Sequence, residues 1–133
     1  MSEIQRIRLD GKMAEPLSHY TDAVIFDNVL WISGMLGVDV SGKIVGKGDV
    51  IAQTEQVFKN IKTILDETNA TFSDVVRVMV YLVDVNHRGL INPVRQKYFG
   101  DAKPVSTLVE ISALADPDAL IEIEVVAYLG HRK

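Results

Sequence analysis

The chain of 133 residues contains no cysteine. Disulfides, thiolate nucleophiles and cysteine metal sites are therefore excluded. The absence fits a reducing cytosol. Proline is scarce, at four residues, and no stretch rich in Pro, Gly or Ser divides the chain. One domain with one core is expected over residues 1–133. No apolar run approaches the roughly 18 residues that span a membrane. The N-terminal MSEIQRIRLDGK has neither an apolar core of signal-peptide length nor a small-residue cleavage site, so a cytoplasmic protein without a membrane partner is expected. Basic residues are scattered and the net charge is -4, whereas a nucleic-acid partner calls for a concentrated basic surface. Nucleic acid is accordingly not an expected partner. Neither GxxxxGK[ST] nor GxGxxG occurs, and His19, His87 and His131 lie far apart without ligand spacing. A metal site is not expected.

What the chain does contain is β-rich runs alternating with amphipathic helices. IQRIRL (4–9) alternates apolar and polar residues, as a half-buried strand does. AVIF (23–26) and VLWIS (29–33) flank Asp27-Asn28, two residues that tolerate a left-handed turn, so a hairpin is predicted. DVSGKIVGKG (39–48) is a glycine-rich loop. Asp49 is a plausible N-cap for a helix whose stripe is Val50, Thr54, Val57, Phe58, Ile61, Ile64 and Leu65, and Asn69 can end it. VVRVMVYLV (75–83) reads as a central strand covered on both faces. Asn92-Pro93 is predicted to open a second helix, with Pro93 at the tolerated first position and Gly100 at the end. VSTLVEIS (105–112) and LIEIEVVAYL (120–129), joined by Asp116-Pro117-Asp118, are predicted to form an antiparallel pair.

The order β, β, β, α, β, α, β, β predicts an α/β sandwich, two helices against one face of a mixed sheet. The helices cover one side only, yet strand 75–83 and the end of the last strand are apolar on both. A sticky sheet face on a lone chain is avoided if copies cover one another, so a homo-oligomer is expected. Glu122 and Glu124, two apart on a strand, share a face, as do Ser106, Leu108 and Glu110 on the strand before. A carboxylate on a largely apolar sheet needs a partner, a water or a cleft. It is either a solvated charge or a general acid/base at a subunit cleft.

Tyr20, Ser33-Gly34, the helix from Asp49, Asn92 with its helix, Pro104, Val109-Glu110 and IEIE (121–124) follow one another in an order that resembles the RidA/YjgF family of enamine/imine deaminases. The most specific part is GDAKPVSTLVEISALADPDALIEIEVVAY (100–128), which is similar to RutC-like members. The resemblance implies a chorismate-mutase-like fold and a homotrimer with an internal barrel and three intersubunit clefts. The archetypal members hydrolyse 2-imino or 2-enamino acids to 2-oxo acids and ammonia without metal or cofactor, so the resemblance implies a hydrolase of a small imine, enamine or related C–N compound. In that scheme an arginine pairs with the substrate carboxylate, and a glutamate and a backbone carbonyl hold the attacking water.

Residue by residue, the glutamate falls on Glu122, the cleft tyrosine on Tyr20 and the Ser-Gly pair on Ser33-Gly34, with Asn92 also at a substrate-binding position. Met35 replaces the polar residue that often follows the glycine. The arginine falls on Ser106, and Leu108 stands where a small or thiol residue is common. A serine offers one neutral hydrogen bond where arginine offers a charged, bidentate pair, a difference of roughly 2–3 kcal/mol. Strict 2-imino acid deamination is thereby put in question. Arg77, Arg88 or Arg95 would have to supply a replacement cation, and Arg77, on a central strand, is the foremost of the three. The alternative function is a non-catalytic metabolite-binding or regulatory protein of the same fold. A ribonuclease role has also been attached to the family's name, and the acidic composition gives it no support.

Overall fold

A computed structural model describes residues 3–130. His131 lies outside the described residues. Six strands form one sheet: β1 (Gln5–Ile7), β2 (Ala23–Phe26), β3 (Val29–Leu36), β4 (Val75–Leu82), β5 (Val105–Glu110) and β6 (Ile121–Tyr128). Their spatial order is β1-β2-β3-β6-β4-β5. Helices α1 (Val50–Glu67) and α2 (Arg88–Phe99) join β3 to β4 and β4 to β5.

The β2–β3 hairpin turns at Asp27 and Asn28, which have φ of 51° and 62°, the two left-handed residues a type I′ turn needs. Asp49 caps α1, its carboxylate accepting from the Ile51 and Ala52 amides at 3.0 Å. Asn69, at φ 57°, follows the last turn of α1. The α1 stripe Val57, Phe58, Ile61, Ile64 and Leu65 is buried against Leu30, Val78, Val80, Ile121 and Ile123 of the sheet. Ile91, Val94 and Phe99 of α2 extend this core, and Phe58 stacks on Tyr98 with ring centres 4.9 Å apart where the helices meet. Both helices lie on one face, as the mixed α/β architecture requires.

Two expectations are corrected. The last two strands are not neighbours: β4 lies between them, antiparallel to β6 and parallel to β5. The α2 crossover brings the chain back alongside β4 in the same direction, the connection a parallel pair demands. β6 then fills the centre of the sheet, where its inward Ile121, Ile123, Val125 and Ala127 are all buried. Second, α2 begins at Arg88, so Asn92 and Pro93 sit within it rather than at its start. A turn over Val85–His87, with the Asp84 carboxylate accepting from the Asn86 amide, provides the entry instead. Within one chain the helices cover one face of β4: Val78, Val80 and Leu82 are enclosed, whereas Val76 and Arg77 are exposed.

The uncovered face is apolar over much of its extent. Trp31, Val105 and Tyr128, with 52%, 69% and 53% exposure, stand on it. Pairing register puts Val24, Val126 and Met79 on the same side.

Candidate active site

Glu122 and Glu124 project from β6 onto this uncovered face, because alternate residues of a strand point to opposite sides and Ile121, Ile123 and Val125 face the helices. Opposite them, β3 is bulged between Ile32 and Met35. The bulge carries Ser33 and Gly34 and re-aims them at Glu122. A Cβ on Gly34 would meet the Glu122 carboxyl carbon at 2.6 Å, so only glycine leaves room for that carboxylate. Leu17, Tyr20, Ser33, Gly34, Ala115 and Glu122 line one hollow. A second hollow adjoins it, sharing Tyr20 and Ser33 and reaching Glu124.

Each wall of this hollow is tied down. Ser33 donates its hydroxyl to the Thr21 carbonyl at 2.6 Å and its amide to Asp22 at 2.9 Å. The Asp22 carboxylate, almost fully buried, accepts from Arg8 and from the Leu9 amide, both at 2.8 Å. The phenol oxygen of Tyr20 accepts from the Leu17 amide at 3.1 Å. On the other side, the loop between β5 and β6 is held by buried Gln53 of α1. Its amide nitrogen donates to the carbonyls of Gly46 and Asp118, and its oxygen accepts from the Leu120 amide. Neither Arg8–Asp22 nor Gln53 was singled out from the sequence. The one signal for Gln53 was a polar residue at helical spacing from Val50 and Val57.

Glu122 is half-buried, and among the described residues no donor reaches its carboxylate. Burial first, and the neighbouring Glu124 charge second, raise its pKa above the usual carboxylate value. Glu124 is satisfied differently, by the Tyr81 hydroxyl. That hydrogen bond, with burial, raises the phenol's own pKa and keeps it a donor. A carboxylate inclined to hold a proton, with its oxygens open to a hollow, is suited to exchange protons with a bound water or substrate.

The remaining predicted residues lie elsewhere. In the parallel β4–β5 register Ser106 pairs with Val78 and Leu108 with Val80, so both point to the helix side, away from Glu122. Leu108 packs on the core. Ser106 accepts a hydrogen bond from Arg95 of α2 at 2.8 Å. Asn92 is exposed on α2, one turn before Arg95 and on the same helical face. Arg77, foremost among the candidate cations, is exposed on the uncovered face, where it meets the Met79 sulfur. Within one chain the predicted residues thus form two groups: Tyr20, Ser33, Gly34 and Glu122 on one face, Asn92, Ser106 and Leu108 at the β5 edge. Among the described residues no group of histidines and carboxylates is placed to hold a metal, and no helix is long and apolar enough to cross a membrane.

A six-stranded mixed sheet with two helices on one face and acidic residues on the other is the fold of the L-PSP/YjgF proteins. A solved structure of RidA from an Antarctic Psychrobacter superposes with a TM-score of 0.86 at 32% identity, over 93% of this chain and 98% of that one. The family model described as endoribonuclease L-PSP matches residues 11–129. A RutC family protein of Pyrococcus abyssi is 40% identical, over 88% of this chain and 91% of its own. The 3-aminoacrylate deaminase RutC of Acinetobacter baylyi is 37% identical, over 86% and 90%. The 2-iminobutanoate/2-iminopropanoate deaminase of Capra hircus is 33% identical, over 97% and 93%. The chain belongs to this RidA/YjgF family and is similar to its RutC-like members.

Proposed function

We propose that the protein hydrolyses a small imine or enamine to a carbonyl compound and ammonia, without a cofactor. Glu122 is the catalytic residue. It accepts a proton from water as the oxygen adds to the imine carbon, then returns a proton to nitrogen as the C–N bond of the carbinolamine breaks. One water is consumed and one ammonia released. An enamine enters the same route after protonation at carbon. Ser33, Gly34 and Tyr20 shape the space in which this occurs.

The single observation that carries the reading is Glu122 itself: a half-buried carboxylate with raised pKa and no donor among the described residues, facing a hollow. A structural carboxylate in that setting is normally hydrogen-bonded, as Glu124 is to Tyr81. The deaminase names of two relatives agree with the chemistry. A homotrimer, with the apolar sheet faces packed inward, fits the exposed Trp31 and Val105 and would close the hollow into an intersubunit cleft. A cytoplasmic, soluble protein acting on a small molecule rather than on nucleic acid fits a chain of net charge -4.

The test supplies imines in situ from amino acids with an amino-acid oxidase and follows ammonia release. Acceleration by the wild-type chain, lost in Glu122→Gln at unchanged oligomer mass, is the expected result. The neutral side chain at Ser106 favours a second reading, a protein that holds such a metabolite without converting it. Saturable binding with no acceleration by the wild-type chain would establish it.

A further inference from the structure

Residues 14–20 bring Leu17 and Tyr20 to the Glu122 hollow, yet they belong to no strand or helix and most of them are exposed. Within the segment, the Leu17 amide donates to the Tyr20 oxygen and the Tyr20 amide to the Ser18 carbonyl. Among the described residues, one side chain from outside hydrogen-bonds or ion-pairs with it, that of Arg8. Arg8 Nη2 donates to the Met13 and Ala14 carbonyls at 3.4 and 3.2 Å and lies 3.0 Å from the Glu15 carboxylate. Nη1 donates to the Asp22 carboxylate at 2.8 Å, and Nε faces Asp10 at 3.5 Å. One guanidinium thus joins the root of the segment to the residue that precedes β2.

Asp22 carries this fixation to the other wall. Its carbonyl accepts the Ser33 amide, and the carbonyl of Thr21 beside it accepts the Ser33 hydroxyl. The Asp22 side chain is 5% exposed, so without Arg8 it would be a buried charge lacking its cation. Compared with an apolar replacement, a buried ion pair adds little net stability. What it supplies here is a single geometry, because a planar fork of donors meets its acceptors in one orientation.

We propose that Arg8 is a positioning residue of the Glu122 site, holding Leu17 and Tyr20 over the hollow through residues 13–15 and Ser33 beside it through Asp22. The tether stands without the deaminase reading; its effect on turnover rests on that reading. Held in place, the segment limits water at the Glu122 carboxylate, and burial is the first cause of that group's raised pKa. The titratable groups around Glu122 are Glu124 on its own strand, Tyr81 opposite it on β4 and Tyr20 of the segment, with Arg77 acting on Tyr81 further along β4. Of these, loss of the tether displaces Tyr20 alone.

The experiment compares the wild-type chain with Arg8→Lys and with the double variant Arg8→Met/Asp22→Asn. The double variant removes the tether without stranding a buried charge, and it keeps an acceptor for the Leu9 amide. Three quantities are read: chymotryptic cleavage after Leu17 and Tyr20, the midpoint of the Glu122 carboxyl titration by carbon-13 NMR, and kcat and KM for ammonia release from the imine made in situ from leucine by an amino-acid oxidase. In the double variant cleavage should be ~10-fold faster or more. Its Glu122 midpoint should fall toward the ordinary carboxylate value, and its kcat/KM should drop ~10–100-fold, at unchanged oligomer mass. Arg8→Lys still pairs with Asp22 but lacks the fork that reaches both carbonyls, and it should fall between the two. Unchanged cleavage in a folded double variant overturns the proposal, and so does an unchanged Glu122 midpoint. If the double variant does not fold, Arg8→Lys decides by the same two readouts. A wild-type chain that releases no extra ammonia overturns the deaminase reading instead, and cleavage and the Glu122 midpoint still decide the tether.

Discussion

Gly34 and Glu122 occupy one another's space: a methyl group on the glycine would lie 2.6 Å from the glutamate's carboxyl carbon and 2.7 Å from an oxygen. The obstructing atoms are the far end of a flexible side chain, so the chain can relieve the clash by swinging the carboxylate away. Gly34→Ala should therefore fold with a loss of about 1 kcal/mol or less. Its kcat should fall at least ~10-fold, because the displaced base no longer meets the reacting water. Thermal unfolding and steady-state ammonia release check the two halves. Full activity in Gly34→Ala would mean that the position of Glu122 does not matter.

The raised pKa of Glu122 fixes the sign of two pH effects. The folded chain holds this proton to a higher pH than the unfolded chain, so it binds more protons between the ordinary carboxylate value and the raised one. Stability contributed by the neutral form is lost as pH rises through that window. Glu122→Gln should therefore be more stable than wild type at neutral pH while inactive, measured by denaturant midpoints at pH 4 and pH 7. Activity needs the ionised base, so kcat/KM should fall on the acid side of the raised pKa. Glu124→Gln removes the adjacent charge, and that acid limb should move to lower pH.

Trp31 is half exposed on the uncovered sheet face. Trp31→Glu puts a charge where copies are proposed to meet. Sedimentation should show a smaller species, and turnover should fall with it even though residue 31 bears no reacting group. A wild-type chain that sediments as a stable monomer would remove the basis for a shared cleft.

Local physics made most elements legible in the sequence. Asp27-Asn28, the Asp49 cap and the α1 stripe are each settled within a few residues, by left-handed tolerance, by amide capping and by helical periodicity. Pairing is not local. The alternation in VSTLVEIS identifies a strand without naming its neighbour, and the Asp116–Asp118 turn suited a hairpin that β4 in fact interrupts. The prolines misled in the same way: Pro93 suits the first turn of a helix, yet Asp84 starts the helical segment earlier.

By itself the sequence determined the class of fold, the absence of thiol chemistry and the shared face of Glu122 and Glu124, because strand alternation and side-chain chemistry are properties of short segments. Only the tertiary structure decided that Ser106 and Leu108 turn away from that acid, that Arg95 rather than Arg77 reaches Ser106, and that Gly34 makes room for Glu122. Those relationships depend on which strands lie side by side and which face a helix crosses, and residues distant in the chain set both.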